Sequence, residues 1–166
     1  MQADQQSPGA YARSLGAAAI GGRLRRLSER IDREAGRLYA EAGVKFEQRW
    51  FGVLNLLHRY GALSVGELAG ALGVSHASIS QIRDSLQRAG LVSATPDPDD
   101  ARSRRLTLSV EGVALYASLR PLWDALDAVA VELDREAGGV VALLDRLEDA
   151  LDRRSLVERA RQRLGG

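Results

Sequence analysis

Three arginines, Arg102, Arg104 and Arg105, follow directly on the proline- and aspartate-rich stretch Thr95-Pro96-Asp97-Pro98-Asp99-Asp100. Guanidinium forks fit phosphates and base edges, and on an extended arm they can enter a minor groove. Asp97, Asp99 and Asp100 cancel their charge at long range, so such an arm works by aimed donors and not by a diffuse field. The plainer alternative is a solvated, charge-balanced loop. A second set lies upstream, between Ser75 and Arg88. Projected at about 100° per residue, Ile79, Ile82 and Leu86 turn inward, while Ala77, Ser80, Gln81, Asp84 and Arg88 turn outward. Short side chains near the start suit close approach to base edges. Gln81 can pair bidentately with adenine, and His76 and Ser78 are placed for phosphates or bases. Asp84 opposes this, because a carboxylate repels phosphate unless an arginine pairs with it. Arg83, Arg88 and the later arginines are the candidates.

Composition removes other chemistries. The 166 residues carry 23 Lys+Arg against 22 Asp+Glu, 45% apolar residues and no cysteine, which suits one soluble domain. Without sulfur there are no disulfides, thiolate metal sites or cysteine nucleophiles. His58 and His76 are the only histidines, too few for triads or histidine-rich metal sites. No glycine-rich phosphate loop or nucleophile–base pair is present, so neither an enzyme nor a cofactor or metal is expected. No stretch approaches the ~18 apolar residues of a spanning helix, and the polar Met1–Pro8 is no signal peptide. A cytoplasmic protein without membrane association is expected.

The elements that must position these side chains follow from periodicity. Leu15 to Ala42 carries an apolar face at Ile20, Leu24, Leu27, Ile31, Ala35 and Leu38, opposite Arg23, Arg26, Arg30, Arg33 and Arg37, with Gly43 as terminator. A shorter helix runs through Phe46, Trp50, Val53, Leu54 and Leu57 to Gly61. Ser64-Val65-Gly66-Glu67 has the form of a capping box and opens a helix to Gly73; Ser75 caps the next, which ends at Gly90. Small Ala69, Gly73 at the turn, and apolar Leu68, Leu72, Val74, Ile79 and Ile82 have the spacing of a helix-turn-helix. Leu91–Ala94 and Arg105–Leu108 read as strands of a hairpin with a long polar tip. After a cap at Ser109, Leu115, Leu119, Leu122, Leu126, Val129 and Leu133 form a heptad seam, in which Pro121 predicts a kink. The last apolar rhythm is Val140, Leu144, Leu147 and Leu151, with a break at the Ser155–Glu158 capping box.

The run Asp97-Pro98-Asp99-Asp100-Ala101-Arg102, followed by Leu106, Leu108-Ser109 and Gly112, resembles the wing signature of the multiple-antibiotic-resistance regulator (MarR) family, and the resemblance covers most of the chain. It implies a mainly α fold with a small β-hairpin wing, a winged helix-turn-helix with N- and C-terminal dimerisation helices. The boundaries expected are a flexible N-terminus at 1–12, supporting and dimerising helices at 13–60, the winged helix-turn-helix at 61–112 and dimerisation helices at 113–166, in one integrated domain. Carried over by position, Arg102 is the wing arginine and Asp100 the acid that steadies the wing, while Ser109 replaces the usual threonine and keeps its hydroxyl.

The resemblance also implies a homodimer on a pseudo-palindromic double-stranded operator, with recognition helices in successive major grooves and wing arginines in minor grooves. Ser75, His76, Ala77, Ser78, Ser80, Gln81, Arg83, Arg88, Arg102, Arg104 and Arg105 are the expected DNA-binding residues. Family members bind small aromatic effectors between dimer helices and winged domain, which makes Tyr39, Trp50, His58, Tyr116 and Trp123 a candidate pocket. The function expected is a ligand-responsive transcriptional regulator, a repressor. The alternative is a winged-helix protein-interaction module that does not bind DNA, a reading favoured by five arginines against six acids from Ser64 to Gly112.

Overall fold

The computed structural model describes residues 8–97 and 104–165, which form two compact units, 1–113 and 114–166.

In the first unit, a short helix α1 (Pro8–Ser14) and a 3-10 turn (Gly16–Ala19) precede α2 (Ile20–Glu41). The helix expected from Leu15 therefore starts five residues later. A helix also begins at Pro8, inside the segment expected to be flexible, where the ring's preset φ suits a first turn. Gly43 takes φ +70 beyond the end of α2. Phe46 precedes the next helix instead of belonging to it. Its buried ring lies 4.5 Å from that of Tyr39 and 5.7 Å from that of Trp50, which ends a 3-10 turn (Gln48–Trp50) leading into α3 (Phe51–Tyr60). Val53, Leu54 and Leu57 bury the inner face of α3.

The helix-turn-helix follows as α4 (Val65–Leu72) and α5 (His76–Arg88). Ser64 Oγ accepts the Glu67 amide at 3.2 Å while Glu67 Oε2 accepts the Ser64 amide at 2.7 Å, the reciprocal box foreseen from sequence. Hydrogen bonding to the carboxylate from the Ser64 amide, and then from the Ser64 side chain, holds the Glu67 carboxyl below its usual range, with Arg105 adding to the effect. Ala69 is buried in the angle between the helices, and Gly73 stands at φ +64, a left-handed turn that a side chain would strain. Val74 is 43% exposed. It was expected in the core, but the turn carries it past the crossing, and Leu68, Ile79, Leu86 and Leu106, all at 0% exposure, close the core without it.

The wing is a three-stranded antiparallel sheet in the order β1 (Leu63–Ser64), β3 (Arg104–Leu108), β2 (Val92–Pro96). The expected hairpin is present, with β2 beginning one residue later and ending two later than foreseen and β3 beginning one earlier. The added strand β1 pairs Leu63 with Leu106 and Ser64 with Arg105. Here one side chain ties the sheet to the helix-turn-helix. The Arg105 guanidinium donates to the Ala62 carbonyl from Nη2 (2.8 Å) and Nε (3.3 Å), to Glu67 Oε1 at 3.2 Å and to Asp97 Oδ2 at 3.2 Å. Asp97, whose side chain is 9% exposed, is the more enclosed acid of the two.

The wing returns to α6 (Val110–Glu136) through Ser109, whose Oγ donates to the Gly90 carbonyl at 2.6 Å and accepts the Gly112 amide at 2.9 Å. At Gly112 the backbone touches: a Cβ there would stand 2.0 Å from the Leu91 carbonyl oxygen, the same oxygen that accepts the Ser109 amide. That explains the glycine of the wing signature.

The second unit holds the rest of α6, with α7 (Val140–Arg153) and α8 (Leu156–Leu164). Pro121 lies within α6, which is unbroken across it. Ser155 and Glu158 form the expected second capping box, and Arg159 closes the α7–α8 turn by donating to the Ala150 carbonyl at 2.6 Å. Along the heptad seam Leu119 is 1% exposed, yet Val129 is 47% and Leu133 53%. No residue of α7 or α8 is buried. No helix among the described residues is long and apolar enough to cross a membrane.

Two substitutions check this packing. Gly112→Ala forces the Leu91 carbonyl aside and lowers stability by about 3 kcal/mol, read as a shifted urea midpoint; an unchanged midpoint would show that the contact is soft. Arg105→Ala lowers the melting temperature, whereas Arg104→Ala, one residue earlier on the same strand and exposed, leaves it unaltered.

Candidate nucleic-acid interface

Helix α5 presents its two faces as its sequence dictates. Ile79 and Leu86 are fully buried and Ile82 half-buried; Ser75, His76, Ala77, Ser78, Gln81 and Arg88 are exposed, and Ser80 and Arg83 partly so. Ser75 Oγ accepts the Ser78 amide at 3.2 Å, and the two hydroxyls lie 2.9 Å apart. Ser75 and Ser78 thus fasten the first turn of the helix whose start bears Ala77. His76 leans over α4, close enough that a Cβ on Gly66 would stand 3.6 Å from its Cε1.

An open cleft of about 800 Å³ separates this helix from the wing and is lined by Ser64, Gly66, His76, Ser80, Arg83 and Arg104 among others. Four of the expected DNA-binding residues therefore share one concave surface. Asp84 is neutralised where it stands: Arg83 Nε and Nη2 both donate to its Oδ1, at 2.9 and 2.8 Å. Arg88 Nε bonds the Asp84 carbonyl at 3.2 Å, which lays its stem along the helix.

Arg105 does not belong with this group. Expected on the arm, it turns its donors into Ala62, Glu67 and Asp97 instead, because β3 alternates and places Arg104 and Arg105 on opposite faces. The neighbouring Asp97 raises its pKa further, so it stays charged. Arg102 and Asp100 lie outside the described residues.

The candidate pocket residues are divided between the two units. Tyr39 is 1% and Trp50 3% exposed, and both polar tips are taken: Tyr39 Oη donates to Gln48 Oε1 at 2.8 Å and Trp50 Nε1 to Ser85 Oγ at 3.2 Å. They are core residues of the first unit. His58 is exposed. In the second unit the rings of Tyr116 and Trp123 meet edge to face at 5.0 Å. Among the described residues no group of three or more His, Asp or Glu side chains is placed to hold a metal.

Sequence reasoning missed one polar link to α5. Ser85, buried in α5, accepts from Trp50 and donates to Glu47 Oε1 at 3.0 Å. These partners lie 35 and 38 residues away, and a serine on the flank of an apolar face was the sole trace of them.

A model of the MarR family matches residues 42–103, from the end of α2 to the residue before β3. The HTH-type transcriptional regulator PecS of Dickeya dadantii is 29% identical over 135 residues, spanning 78% of this chain and 80% of that one. Among solved structures, Bordetella bronchiseptica BpsR, whose DNA binding is regulated by 6-hydroxynicotinic acid, superposes with a TM-score of 0.64 at 25% identity, over 78% of this chain and 93% of its own. The S. aureus MepR–DNA complex gives 0.67 at 18% identity over 80% and 98%, a likeness of fold. Together with the capped helix-turn-helix, the three-stranded wing and the glycine contact behind it, these matches make the chain similar to winged helix-turn-helix proteins of the MarR family.

Proposed function

We propose that the protein is a sequence-specific double-stranded DNA-binding transcriptional regulator, acting in the cytoplasm as a homodimer. The observation that carries this reading is the outward face of α5, where Ala77 and Gln81 are exposed beside a cleft closed by Arg104. A helix of ~10–12 Å diameter fills a major groove of about 12 Å, and short side chains at its start let the backbone approach the bases. Likeness to PecS supports regulation of transcription. The charge balance that favoured a protein-interaction module loses weight, since Asp84 is paired by Arg83 and Asp97 by Arg105. Those acids orient arginines within the fold.

Dimerisation is supported by apolar surface without a partner in one chain. Ile20, Leu24, Leu27, Ile31 and Leu38 of α2 are 37–58% exposed, and Val140, Val141, Leu143, Leu156 and Val157 are exposed as well. Stripes of this extent exceed the scattered apolar residues of a monomer surface, and a two-fold partner is the commonest way to cover such surface. Roles for the N-terminal helices and for residues 113–166 in that contact follow. Release of DNA by a small effector is the finer part of the reading, supported by the likeness to BpsR. Wing contacts by Arg102, steadied by Asp100, complete it.

Three measurements test it. Binding-site selection followed by titration at rising salt returns a two-fold-related motif and salt-sensitive affinity; Gln81→Ala relaxes preference at one base pair per half-site by about 1–3 kcal/mol. Arg102→Ala flattens the log–log salt slope by about 0.9 for each phosphate that is no longer neutralised and leaves the motif unaltered. Leu27→Asp combined with Ile31→Asp yields monomers in sedimentation velocity. A chain that retards no duplex would return the protein-interaction reading.

A further inference from the structure

The geometry points to a phosphate contact made from outside the winged helix-turn-helix, by Arg49 in the turn before α3, on the flank of the recognition helix opposite the wing. This inference rests on the DNA-binding reading above. A second concavity of about 560 Å³ is lined by Arg49, Gln81, Asp84, Gln87 and Arg88. On a projection at about 100° per residue, Gln81 and Arg88 lie to one side of the outer face of α5, with Asp84 near its middle, and His76, Ser80 and Arg83 lie to the other, toward the wing, while Gln87 lines both concavities. A guanidinium therefore stands beside the helix on each flank: Arg104 in the wing cleft, Arg49 in the second concavity.

That arrangement matches the groove. A helix that occupies a major groove points its outer residues at base edges, and the two phosphate strands run along either side. Groups carried next to the helix on neighbouring elements, not on the helix itself, are the ones that meet those strands. Arg49 is carried this way and is half exposed, its side chain at 50%.

Its aim is set by the recognition helix. Arg49 Nε and Nη2 both lie 2.6 Å from Glu47 Oε2, while Glu47 Oε1 accepts the hydroxyl of buried Ser85 on α5. Ser85 is in turn gripped by Trp50 Nε1 at 3.2 Å. One carboxylate thus joins the arginine to the helix it flanks. The remaining N–H donors of the guanidinium project from a fork held at its base, the pre-organisation that makes arginine better than lysine at an oriented anion. Glu47 beside a phosphate would repel it if unpaired; paired to Arg49 it acts as the anchor.

The test uses the full chain and the duplex selected by the wild type. Arg49→Gln should weaken binding about fivefold per contact at ~0.15 M salt, about twenty-fivefold for two subunits, and reduce the log–log salt slope by about 0.9 per contact, with the preferred sequence retained. Arg49→Lys should recover most of the slope. Lys45→Gln, which removes a charge from an exposed position in the same segment without entering the concavity, should change neither. A wild-type affinity and slope in Arg49→Gln would overturn the assignment, as would equal losses in Arg49→Gln and Lys45→Gln, the mark of net charge alone. A wild type that selects no duplex would instead overturn the DNA-binding reading and this contact with it.

Discussion

The crossing of α4 and α5 is the constraint on which the rest hangs. Two helices can cross this closely only where a side chain is as small as alanine, and Ala69 fills that place while Gly73 supplies the left-handed turn between them. Once they cross, Leu68, Ile79, Leu86 and Leu106 shut out water completely, and burial of each such side chain is worth about 1.5–3 kcal/mol. The outward face of α5 is then a consequence. Its residues need only be short and polar enough not to be drawn into the core. A bulky residue at Ala69 would tilt α5 and with it every donor in the cleft.

Around that crossing the polar groups act as fasteners. Glu67 belongs to the capping box of α4 and also receives Arg105 from the wing; Ser109 joins the Gly90 carbonyl to the first turn of α6; Ser85 joins α5 to the turn before α3. Glu67 and Ser109 each have one partner close in sequence and another distant, and Ser85 has two distant ones. Apolar contacts slide at little cost, but a hydrogen bond is directional and a buried donor without a partner costs about 1–3 kcal/mol. The small core thus sets how tightly the elements pack, and these bonds set their angles.

Locality explains what could be read from the chain. The two capping boxes, the cap at Ser75 and the turn at Gly73 depend on residues within a few positions of one another, and each was visible as a spacing. Strand β1 was not, because two residues show no alternation; Leu63 and Ser64 become a strand only when β3, some forty residues on, arrives beside them. Arg105 was misplaced for the same reason. Next to Arg102 and Arg104 it looks like one of three equal cations, and only the register of β3 against β1 reveals that it faces Ala62 and Glu67. Tyr39 and Trp50 looked available to a ligand because aromatic residues serve both core and pocket; their polar tips meet Gln48 and Ser85, and Ser85 comes from another helix.

Charge balance takes on a different meaning in this light. A region with nearly equal acids and arginines would be a poor attractor of DNA if all its charges were loose, since the far field sums close to zero. In the first unit, though, Asp84 holds Arg83, Glu47 holds Arg49, and Glu67 and Asp97 hold Arg105. A carboxylate that grips one edge of a guanidinium leaves the opposite edge pointing in a defined direction. Exposed pairs of this kind add little to stability, typically under ~1 kcal/mol, so their value lies in orientation. Binding built this way gives up long-range attraction for selectivity at contact, because a phosphate in the wrong place meets an acid instead of a donor.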